Sequence, residues 1–201
     1  MYVIAGLGNP GQKYAETRHN AGFWFIDRLA RSAAVTLRMQ SRLHSETAKC
    51  NLFGYECLLV KPDTFVNRSG LAVRRVLDFY KLPLDNLLVA YDELDLPAGT
   101  VRLKQGGGHG GHNGLRDIFS HLGAPEFLRL RIGIGHPGQK HMVTRYVLSR
   151  PDSADFQAIS DGIERALEVL PKILDDEPEA AMNALHTEEK PSAPAQAPTK
   201  D

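Results

Sequence analysis

The chain has 201 residues, of which 42% are hydrophobic and 24% are charged, and this composition excludes a disordered or fibrous protein. The total charge is zero, but residues 1–150 carry 20 basic and 12 acidic side chains (net +8), whereas residues 151–201 carry 4 and 12 (net −8). No apolar run approaches the roughly 18 residues of a membrane span, and the first residues lack the features of a secretion signal. The charge asymmetry indicates a charged partner.

The hydrophobic pattern predicts strands and helices that alternate along the chain. Strands are expected at residues 2–7, 47–53, 55–61, 87–91, 100–105 and 127–134. Helices are expected from about residue 20, from Asn67 as N-cap, over residues 115–121, and from residue 152 to about 174. We therefore expect one α/β domain with a central sheet over residues 1–186, followed by a disordered Pro/Ala-rich tail over residues 187–201.

The two cysteines of the chain belong to the predicted hairpin of residues 47–61. Its turn at Phe53-Gly54 places Cys50 directly opposite Cys57. A cross-strand disulfide is geometrically conceivable, but in the absence of a secretion signal the sequence favours two reduced, packed thiols.

Two other motifs suggest a nucleotide site and a metal site. GLGNPG, from Gly6, matches the dinucleotide fingerprint, but Pro10 removes a backbone donor and Asp27 lies within a predicted helix, not after a strand. His109 and His112, with Asp92, Glu93 and His136 elsewhere, suggest metal ligands, although the surrounding glycines give the histidines no fixed face. Both interpretations are disfavoured, and the glycines of GLGNPG are expected to present Asn9 at the end of a strand.

A set of polar residues lies at the ends of predicted elements: Asn9, His19, Asn67, Asp92, His112 and Asn113. Each one alone is typical of a cap or a turn. A histidine oriented by a carboxylate is a general base, and asparagine amides bind peptide groups without adding charge. The set predicts hydrolysis of an ester by activated water, without a metal or a covalent nucleophile.

Basic residues alternate along two predicted strands. Arg102 and Lys104 share one face of the first, and Arg129 and Arg131 share one face of the second. Spacing alone is equally compatible with a solvated sheet face. If the two faces adjoin, they form a phosphate-binding patch suited to double-stranded RNA.

Several distinctive motifs follow one another in a fixed order: GLGNPG, TRHNAG (17–22), KPDTFVNRSG (61–70), DELDLP (92–97), GGGHGGHNGL (106–115) and RLRIGIGHP (129–137). Through these motifs, the chain closely resembles the bacterial peptidyl-tRNA hydrolase family up to His186. The resemblance implies a twisted, mixed and mostly parallel sheet with helices on both faces, of the phosphorylase/hydrolase-like type. It also implies an esterase that frees tRNA from its peptide and so recycles tRNA from stalled translation.

The resemblance further implies roles for individual residues. His19 is the expected base that activates water, Asp92 orients it, and Asn9 helps to distinguish blocked from free aminoacyl-tRNA. The residues expected to line the site for the tRNA 3′ end and the peptide, or to lie beside it, are Tyr14, Phe65, Asn67, Asn113 and His112. Those expected to bind tRNA phosphates are Arg102, Lys104 and Arg131.

One position departs from the family pattern, because Val66 stands where the family usually has methionine. The smaller side chain changes the expected shape of the peptide subsite but not the chemistry. The resemblance implies no metal or other cofactor, tRNA as the partner, and a monomer in the cytoplasm. The alternatives are an RNA-binding module without activity and a hydrolase that depends on a metal or a nucleotide.

Overall fold

The strands form one seven-stranded sheet in the computed structural model, which describes residues 1–187. The strands are β1 (Tyr2–Gly6), β2 (Arg38–Gln40), β3 (Ser45–Leu52), β4 (Tyr55–Pro62), β5 (Leu87–Glu93), β6 (Val101–Gln105) and β7 (Leu128–Gly133). Their order is β2-β3-β4-β1-β5-β7-β6. The four central strands β4, β1, β5 and β7 are parallel, and the outer pairings are antiparallel.

Helices cover both faces of this sheet. They are α1 (Ala21–Ser32), α2 (Ser69–Tyr80), α3 (Asn113–Leu122), α4 (Val143–Val147), α5 (Ser153–Leu174) and α6 (Pro178–Thr187). One apolar core joins the sheet to α1, α5 and α6, and a second joins the opposite face to α2 and α3. The central parallel strands are buried on both faces, as expected for strands connected by helices. The predicted α/β class, with a mixed sheet and helices on both faces, is confirmed.

The parallel strands bring the polar residues of the sequence to one edge of the sheet. Asn9 follows β1, Asn67 follows β4 and Asp92 lies near the end of β5. The start of α1 reaches the same edge because two glycines permit a very close approach. A Cβ on Gly6 would lie 2.1 Å from the carbonyl oxygen of Gly22, so a larger residue at either position would push α1 away from β1.

The predicted hairpin is confirmed in its pairing, since Cys50 lies opposite Cys57 between β3 and β4. Both cysteines are free thiols. Burial raises the pKa of Cys50, and burial is also the largest cause that raises the pKa of Cys57 to about 12. Both groups are therefore poor thiolates near neutral pH.

The prediction that Asn67 caps the second helix is wrong. Helix α2 begins at Ser69, and Arg68 stands at the cap position without a side-chain hydrogen bond to the helix. Asn67 belongs to a 3₁₀ turn (Val66–Arg68) that precedes α2, and its side chain is exposed. An asparagine two residues before the helix therefore remains available for another partner.

Three short elements are absent from the sequence prediction: β2, α4 and α6. Strand β2 has three residues and α4 has five, lengths too short for a periodic apolar pattern to be visible. Helix α6 is ten residues long, and its buried Ala181 and Leu185 pack in the core beside β6. A run of acidic residues at 175–177 separates α6 from α5, and this run interrupts the apolar pattern from which the start of α6 could be predicted.

The predicted tail over residues 187–201 lies, apart from its first residue, outside the described part of the chain. Thr187 is the last residue of α6. Within residues 1–187, no helix combines the length and the apolar character that crossing a membrane requires.

Candidate active site

A cleft of about 700 Å³ opens at the carboxyl edge of the parallel strands. The predicted site residues that line it are Asn9, His19, Phe65, Asn67, Asp92, His112 and Asn113. Tyr14 lies next to this cleft, with its ring 6.1 Å from the ring of Phe65 in an edge-to-face contact. The three basic residues Arg102, Lys104 and Arg131 do not line the cleft. The fold thus brings together residues that are more than 100 positions apart in the chain.

His19 and Asp92 form a buried pair at the bottom of this cleft. His19 Nδ1 lies 2.8 Å from Asp92 Oδ1, and the side chains are 12% and 2% exposed. A carboxylate accepts hydrogen bonds, so Nδ1 carries the proton that binds Asp92. This leaves Nε2 of neutral His19 as a lone-pair acceptor, with no hydrogen-bond partner among the described residues. That nitrogen is the group available to accept a proton from water.

His112 holds the same carboxylate from a second side. Its Nε2 lies 2.9 Å from Asp92 Oδ1, and its Nδ1 accepts the backbone N–H of Leu115 at 3.2 Å. Because one ring nitrogen of a neutral imidazole donates and the other accepts, these contacts assign the proton of His112 to Nε2. His112 is also the N-cap of α3. His112 therefore acts as a donor that fixes Asp92, whereas His19 keeps a free acceptor.

The pKa values of His19 and Asp92 depend on two causes: the burial of both groups, and the charge of Asp92 that His19 and His112 share. Burial lowers the pKa of His19, but the charge of Asp92 and its hydrogen bond outweigh burial, so the pKa lies above the usual value of 6.5. Burial would raise the pKa of Asp92, but the two histidines outweigh it and hold that pKa far below its usual range. Asp92 is therefore a carboxylate across the physiological range, and it stabilises the imidazolium form of His19.

Asn9 is held in place by Asn20, a residue that the sequence analysis did not single out. The Asn20 side chain accepts the Asn9 N–H at 2.8 Å and donates to the Asn9 carbonyl at 3.0 Å. Asn9 Oδ1 in turn accepts the N–H of Val66 at 2.9 Å. The Nδ2 group of Asn9 is thus the part of its amide that remains for a ligand. The only sequence signal for Asn20 is its place inside the TRHNAG motif.

The same contacts argue against a nucleotide site at GLGNPG. The backbone N–H of Asn9, which a pyrophosphate would require, is donated to Asn20 instead. Asp27, the acidic residue at the distance expected for a ribose contact, lies in α1 and accepts two hydrogen bonds from Lys61. The glycines of this motif place Asn9 at the end of β1, as the sequence predicted, and Gly6 also permits the close packing of α1, which the sequence did not predict.

The metal candidates of the sequence are not brought together as a set. His109, Glu93 and His136 do not join His112 and Asp92, and the three potential ligands within 4.8 Å of one another in residues 1–187 are His19, Asp92 and His112. In this trio His19 Nδ1 and His112 Nε2 both bind Asp92 Oδ1. A cation there would have to displace both protons and the hydrogen bonds that they make, so the donor set fits a proton network better than a metal.

The basic residues of β6 and β7 do share one face of the sheet. Arg102 lies opposite Arg131, and Lys104 lies opposite Arg129. They differ sharply in environment: Lys104 is exposed, Arg102 and Arg131 are half-buried, and Arg129 is only 1% exposed. The interpretation of a uniformly solvated face is therefore wrong for Arg129.

Arg131 is held in position by Glu93, the residue that follows Asp92 in the chain. Its Nε donates to Glu93 Oε2 at 3.0 Å, and the side chains are 23% and 8% exposed. Burial lowers the pKa of Arg131, but the hydrogen bond and charge of Glu93 outweigh it, so the pKa is raised. The ion pair fixes the Nε side of the guanidinium.

A buried histidine with a free acceptor nitrogen and an ionised carboxylate partner can accept a proton from water, which is the chemistry of general base catalysis. No serine or cysteine side chain lines the cleft in the described part of the chain, so the arrangement differs from a nucleophilic triad.

Comparison with known proteins identifies the family. The family model described as peptidyl-tRNA hydrolase matches residues 3–193. The chain is 51% identical over 184 residues to the peptidyl-tRNA hydrolase of Halorhodospira halophila, covering 92% of this chain and 95% of that one. It is 50% identical over 185 residues to that of Coxiella burnetii, covering 92% and 97%. The crystal structure of peptidyl-tRNA hydrolase from Acinetobacter baumannii superposes with a TM-score of 0.89 at 44% identity, covering 92% and 94%.

The chain therefore belongs to the peptidyl-tRNA hydrolase family, as the motifs predicted. It is an enzyme of the hydrolase class, and the alternative of an RNA-binding module without activity is set aside.

Proposed function

We propose that this protein hydrolyses the ester bond of peptidyl-tRNA with His19 as the general base and Asp92 as the residue that orients it. The observation that carries the proposal is the contact between His19 Nδ1 and Asp92 Oδ1, which leaves Nε2 of a buried imidazole as an acceptor in the cleft. Water held by Nε2 attacks the ester carbonyl and transfers its proton to His19. Asp92 stabilises the imidazolium that forms. The bond between the carbonyl carbon and the tRNA 3′ oxygen then breaks, and the imidazolium returns its proton to that oxygen.

The asparagines supply recognition without charge. Asn9 is fixed by Asn20 and Val66, so its Nδ2 group points a rigid donor at a carbonyl of the substrate. Asn67 and Asn113 line the same cleft with exposed amides. A site of this kind favours an N-blocked substrate, because an amide that lacks its peptide partner loses a hydrogen bond on binding. These roles account for discrimination against free aminoacyl-tRNA.

The tRNA 3′ end is assigned to the aromatic rim of the cleft. Phe65 is 54% exposed and packs edge-to-face against Tyr14, whose ring also lies 4.7 Å from the ammonium group of Lys13. Exposed aromatic rings stack on unpaired bases, and a nearby cation binds the adjacent phosphate. In this proposal the acceptor stem extends toward Arg102, Lys104 and Arg131, and the protein works as a monomer in the cytoplasm, where tRNA is used.

The test is a release assay on N-acetyl-aminoacyl-tRNA with the parent protein, His19→Ala and Asn113→Ala. We expect His19→Ala to lower kcat by at least about 100-fold, in line with the contribution of a general base. Asn113→Ala is expected to raise KM more than it lowers kcat. A folded His19→Ala protein with the turnover of the parent would overturn the assignment of the base.

A further inference from the structure

The glycine-rich loop over residues 106–112 carries part of the cleft, and its first residue is tied to the segment before β7 by the bond from the Gly106 N–H to the Phe127 carbonyl at 3.3 Å. Gly106, Gly107, Gly110 and Gly111 all have positive φ, which only glycine adopts readily. In its second half, the N–H of Gly111 donates to His109 Nδ1 and the N–H of His112 donates to the His109 carbonyl, so both bonds stay within the loop. A loop of this composition needs an external anchor to hold one conformation.

Arg129 provides such an anchor from strand β7. Its Nη1 donates to the carbonyl of Gly108 at 2.8 Å, and its Nη2 donates to the carbonyl of Gly107 at 2.9 Å. The guanidinium also lies 5.4 Å from the ring centroid of Phe119 in α3 and 5.8 Å from that of Phe127. One side chain thus joins the sheet, the loop and the helix that follows the loop.

Burying the charge of Arg129 costs free energy of folding, and the contacts of its guanidinium show what the buried charge binds. The side chain of Arg129 is fully buried, its Nε has no hydrogen-bond partner within residues 1–187, and burial is the main cause that lowers its pKa. A buried charge stabilises a fold less than an apolar residue of similar size, so stability alone does not explain an arginine here. The planar fork of arginine binds two adjacent carbonyls at once, which a lysine cannot do in the same way.

We propose that Arg129 is a positioning residue that clamps the first half of the glycine-rich loop and thereby holds His112 and Asn113 in the cleft. With Gly107 and Gly108 fixed, only the three residues 109–111 lie between the clamp and His112, the N-cap of α3. His112 then keeps its bond to Asp92, and the amide of Asn113 keeps its place beside the substrate. Arg129 itself does not line the cleft, so it contacts neither the substrate nor the attacking water. The kinetic part of this inference rests on the proposed function.

The test measures the activity of Arg129→Lys on two substrates, and it distinguishes a residue that clamps the loop from one that binds a tRNA phosphate. One substrate is N-acetyl-aminoacyl-tRNA, and the other is the same acylated amino acid on a CCA trinucleotide, which lacks the acceptor stem. We expect Arg129→Lys to lower kcat/KM about tenfold on both substrates, because loss of one charge-assisted hydrogen bond has about this effect on the population of a clamped loop. We also expect the dependence of kcat/KM on salt concentration to equal that of the parent.

Hydrogen exchange provides a readout that does not depend on catalysis. We expect faster exchange of the amides of residues 107–112 in Arg129→Lys, with the strands unchanged. The matched control is Arg165→Lys, since Arg165 donates to the carbonyl of Gly99 at 2.8 Å and anchors a different loop. The control is expected to keep kcat/KM within about twofold of the parent. A parent protein that does not cleave either substrate would overturn the proposed function, whereas the exchange measurement would still test the clamp.

Two results would overturn the inference. A smaller salt dependence together with a normal rate on the trinucleotide ester would make Arg129 a phosphate contact. Parent kinetics on both substrates, with or without a change in exchange, would make it a residue of structural importance only. If Arg129→Lys does not fold, Phe119→Leu removes the ring beside the guanidinium and leaves a smaller apolar side chain, and about a threefold loss on both substrates is expected.

Discussion

Asn20 holds the backbone of Asn9 with two hydrogen bonds, and this contact leads to a specific prediction for Asn20→Asp. The exchange is nearly isosteric, and the new carboxyl still accepts the Asn9 N–H that lies 2.8 Å from Asn20 Oδ1. It replaces the Nδ2 donor, 3.0 Å from the Asn9 carbonyl, by a second acceptor. Asn20 is only 2% exposed, so water does not readily replace the lost donor.

The magnitude follows from these two bonds. A buried carbonyl without its donor costs about 1–3 kcal/mol of unfolding free energy. If the backbone of Asn9 shifts by even about 1 Å, its Nδ2 group misses the substrate, and a misplacement of that size lowers rates by up to about 100-fold. We therefore expect kcat/KM for N-acetyl-aminoacyl-tRNA to fall by about 10- to 100-fold at neutral pH, with no change in its dependence on salt.

The predicted defect depends on pH with a definite sign. A protonated carboxyl at position 20 donates to the Asn9 carbonyl and restores the original pattern. Burial and the facing carbonyl favour that protonated form, so the pKa of the new carboxyl is expected to lie above its unfolded value. Its contribution to stability is present at low pH and is lost as the pH rises through the folded pKa. The stability difference from the parent should therefore be larger at pH 8 than at pH 5.

The assay combines urea unfolding at both pH values with the release assay at neutral pH. Asn86→Asp is the matched control, because Asn86 Nδ2 donates to the carbonyl of Met1 at 3.3 Å at the opposite edge of the sheet. The control should keep the kinetics of the parent. A folded Asn20→Asp protein with parent kcat/KM, or with a stability loss that is the same at pH 5 and pH 8, would refute the reasoning.

Three further predictions concern the histidine network, the basic face and metals. His112→Asn retains an N-cap for α3 but does not reach Asp92, so kcat should fall about tenfold. The free energy of unfolding in urea should fall by about 1–3 kcal/mol, because the buried carboxylate loses one donor. A parent kcat would contradict the role of His112. Lys104→Ala should raise KM and reduce the salt slope of log kcat/KM by about one, and an unchanged slope would exclude a phosphate contact. This single variant is cleaner than a double variant with Arg102, which also donates to the carbonyl of Leu185 in α6. Dialysis against EDTA should leave kcat unchanged, and restoration of lost activity by a divalent cation would contradict the proton network.

Much of the fold and the central pair was predictable from the sequence. Apolar periodicity predicts the major strands and helices, and the motifs around His19 and Asp92 predict their pairing, which the geometry of the cleft supports with a distance of 2.8 Å. The failures have physical causes. Asn67 has the residue type of a cap, but the chain forms a 3₁₀ turn before α2, so the cap position falls on Arg68.

The roles of Asn20 and Arg129 were not predictable from local pattern. Asn20 acts on a residue 11 positions away, and a single asparagine before a helix is typical of a cap. Arg129 and Arg131 have the same alternation in one strand, yet one is buried under the carbonyls of a loop and the other binds Glu93. Their difference depends on which chain segment crosses the sheet above them, and that is a property of the tertiary structure.

The most direct test of the central claim is the titration of His19 by ¹⁵N NMR beside the pH profile of kcat/KM, in the parent and in Asp92→Asn. We expect neutral His19 to carry its proton on Nδ1 and to have a pKa above the usual value of 6.5. Because the base must be neutral, kcat/KM should fall as the pH drops through that same pKa. In Asp92→Asn the burial of His19 is no longer opposed by a charge, so the titration and the acid limb should move together to lower pH. A proton on Nε2 of neutral His19, or an acid limb that stays in place when the titration moves, would show that His19 is not the general base.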